Sequence, residues 1–522
     1  MRVKTESQAN VPRAYTELAD RLAEIYHVGR SATLLWWDEL AMMPPQGRRG
    51  RAEQKAALDT IAHGLAISLE IGELLDKLVD WERALPASSL EANVLRLARR
   101  NYQTYSAVPP DLVARMSVAA SEGYHAWVKA YNEGDFAIWM PHLERVTDLL
   151  RDVARSIDPT RSPYEVILQR REPGVTIPDL ESMFAVIEKR IVLLRATLQA
   201  NPPSSAPIAP RAYDVAAQEE LTRFVLEQMG FDFNCGRVDT SVHPVSFSLH
   251  PEDVRLCVRT NPRDLRVRLF AALHEGGHGL YFQNVPTAFR GTPLDSSTAQ
   301  GAALSPVFGG ISTGLHEGQS RMWENMFGRS RAFWTSLKPK LRELFGTVVE
   351  DLSVDDWYRG VNEIEDTMIR IEADEASYDL HILLRYEVER GLLEGTLSVR
   401  HAPAFWRERA AEIFGRPPAD DRHGILQDMH WSRGGHGGFP SYTIGNVVGA
   451  QLIRKLRSEI ADYDEQIAEG NWRILLDWMS SHVHANGAAY GPIEVLKEVC
   501  DTDGLDASAY LEYLEEKFLA LL

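Results

Sequence analysis

The sequence predicts a mainly α protein with a single small antiparallel β-sheet. Three observations carry that expectation. Apolar residues recur at helical spacing over most of the chain, Pro- and Gly-rich breaks separate these runs, and strand-like alternation is confined to residues 231–260.

Taken in order, Tyr15, Leu18, Leu22, Ile25 and Tyr26 set out a helix over 14–43, which Met43-Pro44-Pro45-Gln46-Gly47 ends. Trp36 and Trp37 on it are expected in the core. Further helices are expected over 51–79 and 89–104, from Pro109-Pro110 past Trp127, and over 139–156, 177–200 and 213–229. Asn201-Pro202-Pro203-Ser204-Ser205 is a loop and a candidate hinge, but nothing in it marks an interdomain linker. Asp239–Val242, Val245–Leu249 and Val254–Val258 read as the three strands, with an edge that suits an added peptide strand.

The next helix is the centre of the chain. Asn261 and Pro262 read as its cap and first residue, and Asn284 and Pro286 as its stop, giving roughly 20 residues. Its second half carries Leu273-His274-Glu275-Gly276-Gly277-His278, an H-E-x-x-H sequence. Positions i and i+4 share a helix face, so His274 and His278 can present two imidazoles to one metal ion. Glu275, one residue further round, suits a general base and then a general acid better than a third ligand. A Gly-Gly pair inside a helix costs about 1 kcal/mol per glycine against alanine. Close approach of another segment would compensate.

Residues 285–314 are rich in Gly, Pro, Ser and Thr, long for a loop, and placed to act as a lid over the site. Helix then resumes near Leu315 and continues, with breaks at 415–418 and 434–440, to the C-terminus. A catalytic zinc takes three protein ligands. The longer H-E-x-x-H-x-x-G-x-x-H pattern is absent, since Tyr281 and Asn284 stand in its last two places, so a carboxylate from elsewhere is expected. Asp295, Glu317 and Glu324 are the candidates. Glu317 and Glu324 lie seven apart on one helix, and spacing does not choose between them.

Composition bounds the rest. With 56 basic against 74 acidic residues, the net charge is −18, which argues against nucleic acid or an anionic membrane as partner. Three scattered cysteines, Cys235, Cys257 and Cys500, argue against a disulfide framework and fit a reducing cytoplasm. The polar stretch 1–13 does not read as a signal peptide, and no apolar run is long enough to span a bilayer.

Motifs spread over nearly the whole chain resemble the thermostable-type metallocarboxypeptidases, the Taq carboxypeptidase group. H-E-x-x-H matches His274 to His278, and H-E-S-Q-S-R-x-W-E-N matches His316 to Asn325. D-x-R matches Asp253-Val254-Arg255, and H-P-F is close to His243-Pro244-Val245. I-R-x-x-A-D matches Ile369 to Asp374. H-W-S…F-P-[ST]-Y matches His430-Trp431-Ser432 and Phe439 to Tyr442. Trp37-Asp38 with Met43-Pro44, and the tail around His484 and Tyr490, are also similar. The resemblance implies a saddle-shaped helical fold with a deep groove, formed by one domain over 1–522, with a helical part of about 1–200 and a catalytic part of about 201–522. It implies a broad-specificity carboxypeptidase, often homodimeric, that uses zinc or cobalt and acts on peptides with a free C-terminus. It assigns the third ligand to Glu317 and a catalytic tyrosine to Tyr442. Recognition of a terminal carboxylate calls for arginine, with Arg370 first and Arg255 second; structural pairing of Arg370 with Asp366 and Asp374 is the competing reading. The chain departs from the family pattern at Gly318, Val245, His436 and Gly438, the last standing where a tyrosine is usual, and in the length of the stretch from His278 to Glu317. A zinc oligopeptidase or endopeptidase, or a peptide-binding scaffold without turnover, are the alternatives.

Overall fold

The computed structural model describes residues 2–4, 11–201, 208–295, 312–365 and 367–522. The candidate hinge at 202–205, most of the 285–314 stretch and Asp366 lie outside them. The described chain is mostly helical. The first expected helix spans Arg13–Ala41, and Trp37 is buried on it. The run expected over 51–79 is parted at Ser68, whose extended backbone (φ −61°, ψ 141°) separates Arg48–Ala66 from Leu69–Lys77. Helices at Leu90–Ser106, Pro110–Glu133, Phe136–Ile157, Ile177–Ala200 and Val215–Met229 fall where the apolar periodicity puts them. Among the described residues no helix is long and apolar enough to cross a membrane. All three cysteines are free.

The small sheet is mixed, not antiparallel. Its strands are β1 (Gly236–Thr240), β2 (Val245–His250) and β3 (Asp253–Val258), in the order β1-β3-β2. β2 and β3 form the expected antiparallel hairpin. β1 pairs in parallel with the far edge of β3, so the link 241–244 crosses the end of the central strand. Alternation of residue types reports a strand but not which neighbour it takes. Tertiary contact decides that here: Arg30 of the first helix donates to the Ser248 carbonyl of β2 (2.8 Å), and Ser246 of β2 bonds to Glu275.

The central helix spans Leu265–Gln283 and starts later than the sequence suggests. Asn261 accepts from the Arg263 amide (2.9 Å) in a preceding turn. Asp264 is the true N-cap, accepting from the Arg266 amide (3.0 Å) and pairing with its guanidinium (2.8 Å). The C-cap is Asn284, as expected.

Candidate metal centre and active site

Glycine positions the two site helices. A Cβ on Gly277 would stand 2.8 Å from the Ser320 Cα and 2.9 Å from the Gln319 carbonyl oxygen, so the helix Thr313–Arg321 lies backbone to backbone on the H-E-x-x-H helix. Gly276 faces side-chain ends instead, those of Leu226 and Met229. The close approach that the Gly-Gly pair calls for is therefore present. On the other side of Thr313–Arg321, a Cβ on Gly318 would meet the Gly445 carbonyl oxygen at 3.0 Å. Absence of the family's serine at 318 leaves the helix Pro440–Glu459 free to pack closely there.

This packing brings three donors together. His274, His278 and Glu317 present ligand atoms within 4.8 Å of one another. Glu317 Oε2 lies 3.8 Å from His274 Nε2 and 3.5 Å from His278 Nε2. Ligands on a tetrahedral zinc, with bonds of about 2.0–2.1 Å, lie about 3.3–3.4 Å apart, so both the donor types and the spacing fit such an ion. The outer atom of each donor is held. His274 Nδ1 meets Glu324 Oε2 at 2.9 Å, and His278 Nδ1 meets His316 Nδ1 at 2.5 Å. Glu317 Oε1 accepts from Arg321 Nε (3.1 Å). These contacts hold the Nδ1 sides of both rings away from the centre and leave both Nε2 atoms facing it. Of the two carboxylates that spacing leaves open, Glu317 faces the histidine Nε2 atoms. The α-helix passes into a π-turn over Met322–Phe327, and Glu324 falls at the back of His274. Asp295 does not join the cluster; it accepts from the Tyr26 hydroxyl (2.9 Å).

The centre is electronegative. Burial works against a charged His274, but Glu317 and then Glu324 outweigh it and raise its pKa to about 9. Burial works against a charged Glu317 too, yet His274 and His278 hold its carboxyl well below the usual range. A potential that draws a proton in this way also favours a metal cation. Glu275 is buried, which raises its pKa, and the Ser246 hydroxyl donates to its Oε2. Ser246 escaped the sequence reading; its signal was only the inward position in a Val-Ser-Phe-Ser alternation.

Tyr442 stands in the first turn of Pro440–Glu459, and its hydroxyl makes no hydrogen bond to the described residues. Burial raises its pKa to about 12, partly offset by Arg370, whose guanidinium carbon lies 5.5 Å from the ring. Arg370 is buried and already engaged. Its Nε (3.0 Å) and Nη2 (2.7 Å) both donate to Asp428 Oδ1, and Nη1 donates to the Tyr378 hydroxyl (3.1 Å). Asp374, a partner considered from the sequence, instead accepts from the Glu365 and Ser377 amides. Nothing in the sequence singles out Asp428, which lies in a loop with no periodic signal. Arg255 pairs with Asp253 (2.9 Å) and stacks on Trp37 at 4.1 Å. It is cross-strand from Phe247, hence on the opposite face of the sheet from Ser246 and Glu275. His243 is exposed, while His436 is fully buried.

A family model described as carboxypeptidase Taq (M32) metallopeptidase matches residues 17–518. The chain belongs to the M32 metallopeptidases. It is 34% identical over 519 residues to thermostable carboxypeptidase 1 of Thermus thermophilus, covering 97% of this chain and 99% of that one. Against carboxypeptidase 1 of Bacillus subtilis it is 32% identical over 504 residues, covering 96% and 97%. The crystal structure of an M32 carboxypeptidase from Deinococcus radiodurans superposes with a TM-score of 0.89 at 31% identity, covering 98% of this chain and 99% of that one. A Pyrococcus furiosus carboxypeptidase superposes with a TM-score of 0.90 at 29% identity, covering 98% and 100%. As an M32 member the chain is a metallocarboxypeptidase by class.

Proposed function

We propose that this M32 enzyme is a zinc-dependent carboxypeptidase that removes residues from the free C-terminus of peptides. The observation that carries the reading is the convergence of His274 Nε2, His278 Nε2 and Glu317 Oε2, each with its outer atom braced. A bound divalent metal supplies the Lewis acid that polarises the scissile carbonyl and activates water. Glu275 takes the proton from the attacking water and passes it to the leaving amine, with its carboxylate aimed by Ser246. The Tyr442 hydroxyl, without a hydrogen bond to the described residues, is the donor for the developing oxyanion. Arg370, beside the Tyr442 ring, reads the substrate carboxylate through its Nη1 side, since Asp428 holds the other edge. Arg255 has no part in this reading because it faces Trp37.

Engagement of Arg370 by Asp428 also favours a second reading, an oligopeptidase that needs no terminal carboxylate. A short peptide supplied as free acid and as amide separates the two, with and without chelator, the products being weighed by mass spectrometry. Stepwise loss from the free acid alone, abolished by chelator, is the expected result. Internal cuts in both forms would establish the oligopeptidase.

A further inference from the structure

We infer that Arg268, at the opposite end of the H-E-x-x-H helix from the metal donors, is the anchor of a second binding site, one for a small oxyanion. The geometry begins with how its charge is held. Arg268 is only 4% exposed, yet it forms no salt bridge among the described residues. Its Nε donates to the Thr222 hydroxyl (2.9 Å), and its Nη1 to the hydroxyls of Thr240 (3.3 Å) and Thr260. Nη2 donates to no described group. Hydroxyls orient a guanidinium but do not neutralise it, and an uncompensated buried charge is costly. Accordingly, burial lowers the pKa of Arg268, and exposed Glu219 is the one acidic group that opposes the shift.

The same arginine lines an open cavity of about 440 Å³, large enough for a phosphate or a free amino acid. Helix Val215–Met229 supplies Glu219, Thr222 and Arg223 to its wall, and edge strand β1 supplies Gly236, Arg237, Val238 and Thr240. Arg223 and Arg237 also line it, but they already have carboxylate partners, Glu227 and Asp239. Among the lining residues only Arg268 brings a positive charge without a salt-bridge partner, and its free Nη2 can donate a charge-assisted bond to an oxygen of either a carboxylate or a phosphate. Glu219 sits at the wall without an ion pair among the described residues. Its negative charge opposes an incoming anion, which gives the site a built-in test of sign.

Calorimetric titration of the metal-loaded full chain with inorganic phosphate, and separately with alanine, tests this. Removing the guanidinium in Arg268→Met weakens binding at least about tenfold, the loss of one charge-assisted bond. Removing the opposing charge in Glu219→Gln tightens it roughly threefold. Phosphate obeying this pattern assigns the site to inorganic or ester phosphate, and alanine obeying it assigns the site to an α-carboxylate. Equal affinity in all three proteins overturns the proposal. So does weaker binding in Glu219→Gln, which would make Glu219 a ligand partner or the arginine's own counter-ion. Should Arg268→Met fail to fold, Glu219→Gln decides alone, because an exposed residue without an ion pair or hydrogen bond among the described residues tolerates replacement; no tightening there rejects the site.

Discussion

Glu172 is buried with hydrogen bonds from the Gly314 amide (2.7 Å) and from the hydroxyls of Ser312 and Ser441. It thereby joins the start of the Glu317 helix to the turn that carries Tyr442. Burial dominates its titration and raises its pKa to about 7, against 4.5 ordinarily; the three donors offset only part of that. Between these values the folded state holds a proton that the unfolded chain has released, so this residue's contribution is full below about 4.5 and is lost as pH rises through 7. The loss is about 3 kcal/mol. Urea titrations at a series of pH values should show stability falling across that window, and the fall should be shallower in Glu172→Gln. An equal slope in the variant would remove Glu172 as the cause. Arg370 gives a second test. Its partner Asp428 is also held by Arg385 (2.6 Å), so Arg370→Met leaves no orphaned buried carboxylate. Should Arg370 read the substrate, kcat/KM for free-acid peptides drops about 10–100-fold with little change in Tm, and the preference for acid over amide disappears. An unchanged acid-to-amide ratio would make the residue structural. The two histidines and Glu275 were legible because i, i+4 spacing is itself the chemistry. Asp428, Ser246 and Glu172 were not, because each acts through a contact that only the folded chain makes.

At the scale of elements, the two glycines of the H-E-x-x-H helix are predicted to behave differently. A methyl group on Gly277 meets backbone, at 2.8 Å from the Ser320 Cα, whereas one on Gly276 meets the movable ends of Leu226 (2.6 Å) and Met229 (2.9 Å). Gly277→Ala should therefore cost about 3 kcal/mol and Gly276→Ala about 1 kcal/mol, the latter offset by better helix propensity. Displacing Thr313–Arg321 also carries Glu317 away from the histidines. Metal affinity, read by competition with a chromogenic chelator, should fall at least about tenfold in Gly277→Ala and hardly at all in Gly276→Ala. Equal affinity in both would mean that helix spacing does not set the centre. Two neighbouring glycines announced a close contact in the sequence, but not its partner. The sequence likewise reported a helix around 316–325 without its π-turn, and three strands without their order, since both depend on what packs against them.

Across the whole molecule, the helical part of about 1–200 and the catalytic part of about 201–522 share one interior. A continuous hydrophobic cluster runs from Val3 to Leu521. Polar ties cross the same boundary at depth: Tyr164 donates to Glu389 (2.9 Å), Arg30 to the Ser248 carbonyl (2.8 Å), and Tyr26 to Asp295 (2.9 Å). Cutting the chain near 201 would strand each of these groups and open the apolar face that Trp139, Leu150 and Ile187 now help to bury. A lone buried polar group costs about 1–3 kcal/mol, and domains have only about 5–15 kcal/mol in total. The fragment 201–522 is therefore expected to be insoluble or molten, without dispersed amide resonances, even with zinc supplied. The full chain is expected to lose its tertiary signal in one calorimetric transition, and chelation should move that transition down as a whole, because a ligand that binds only the folded state stabilises everything that unfolds with its site. Two resolved transitions, of which only the later responds to chelator, would instead show that the two parts fold separately.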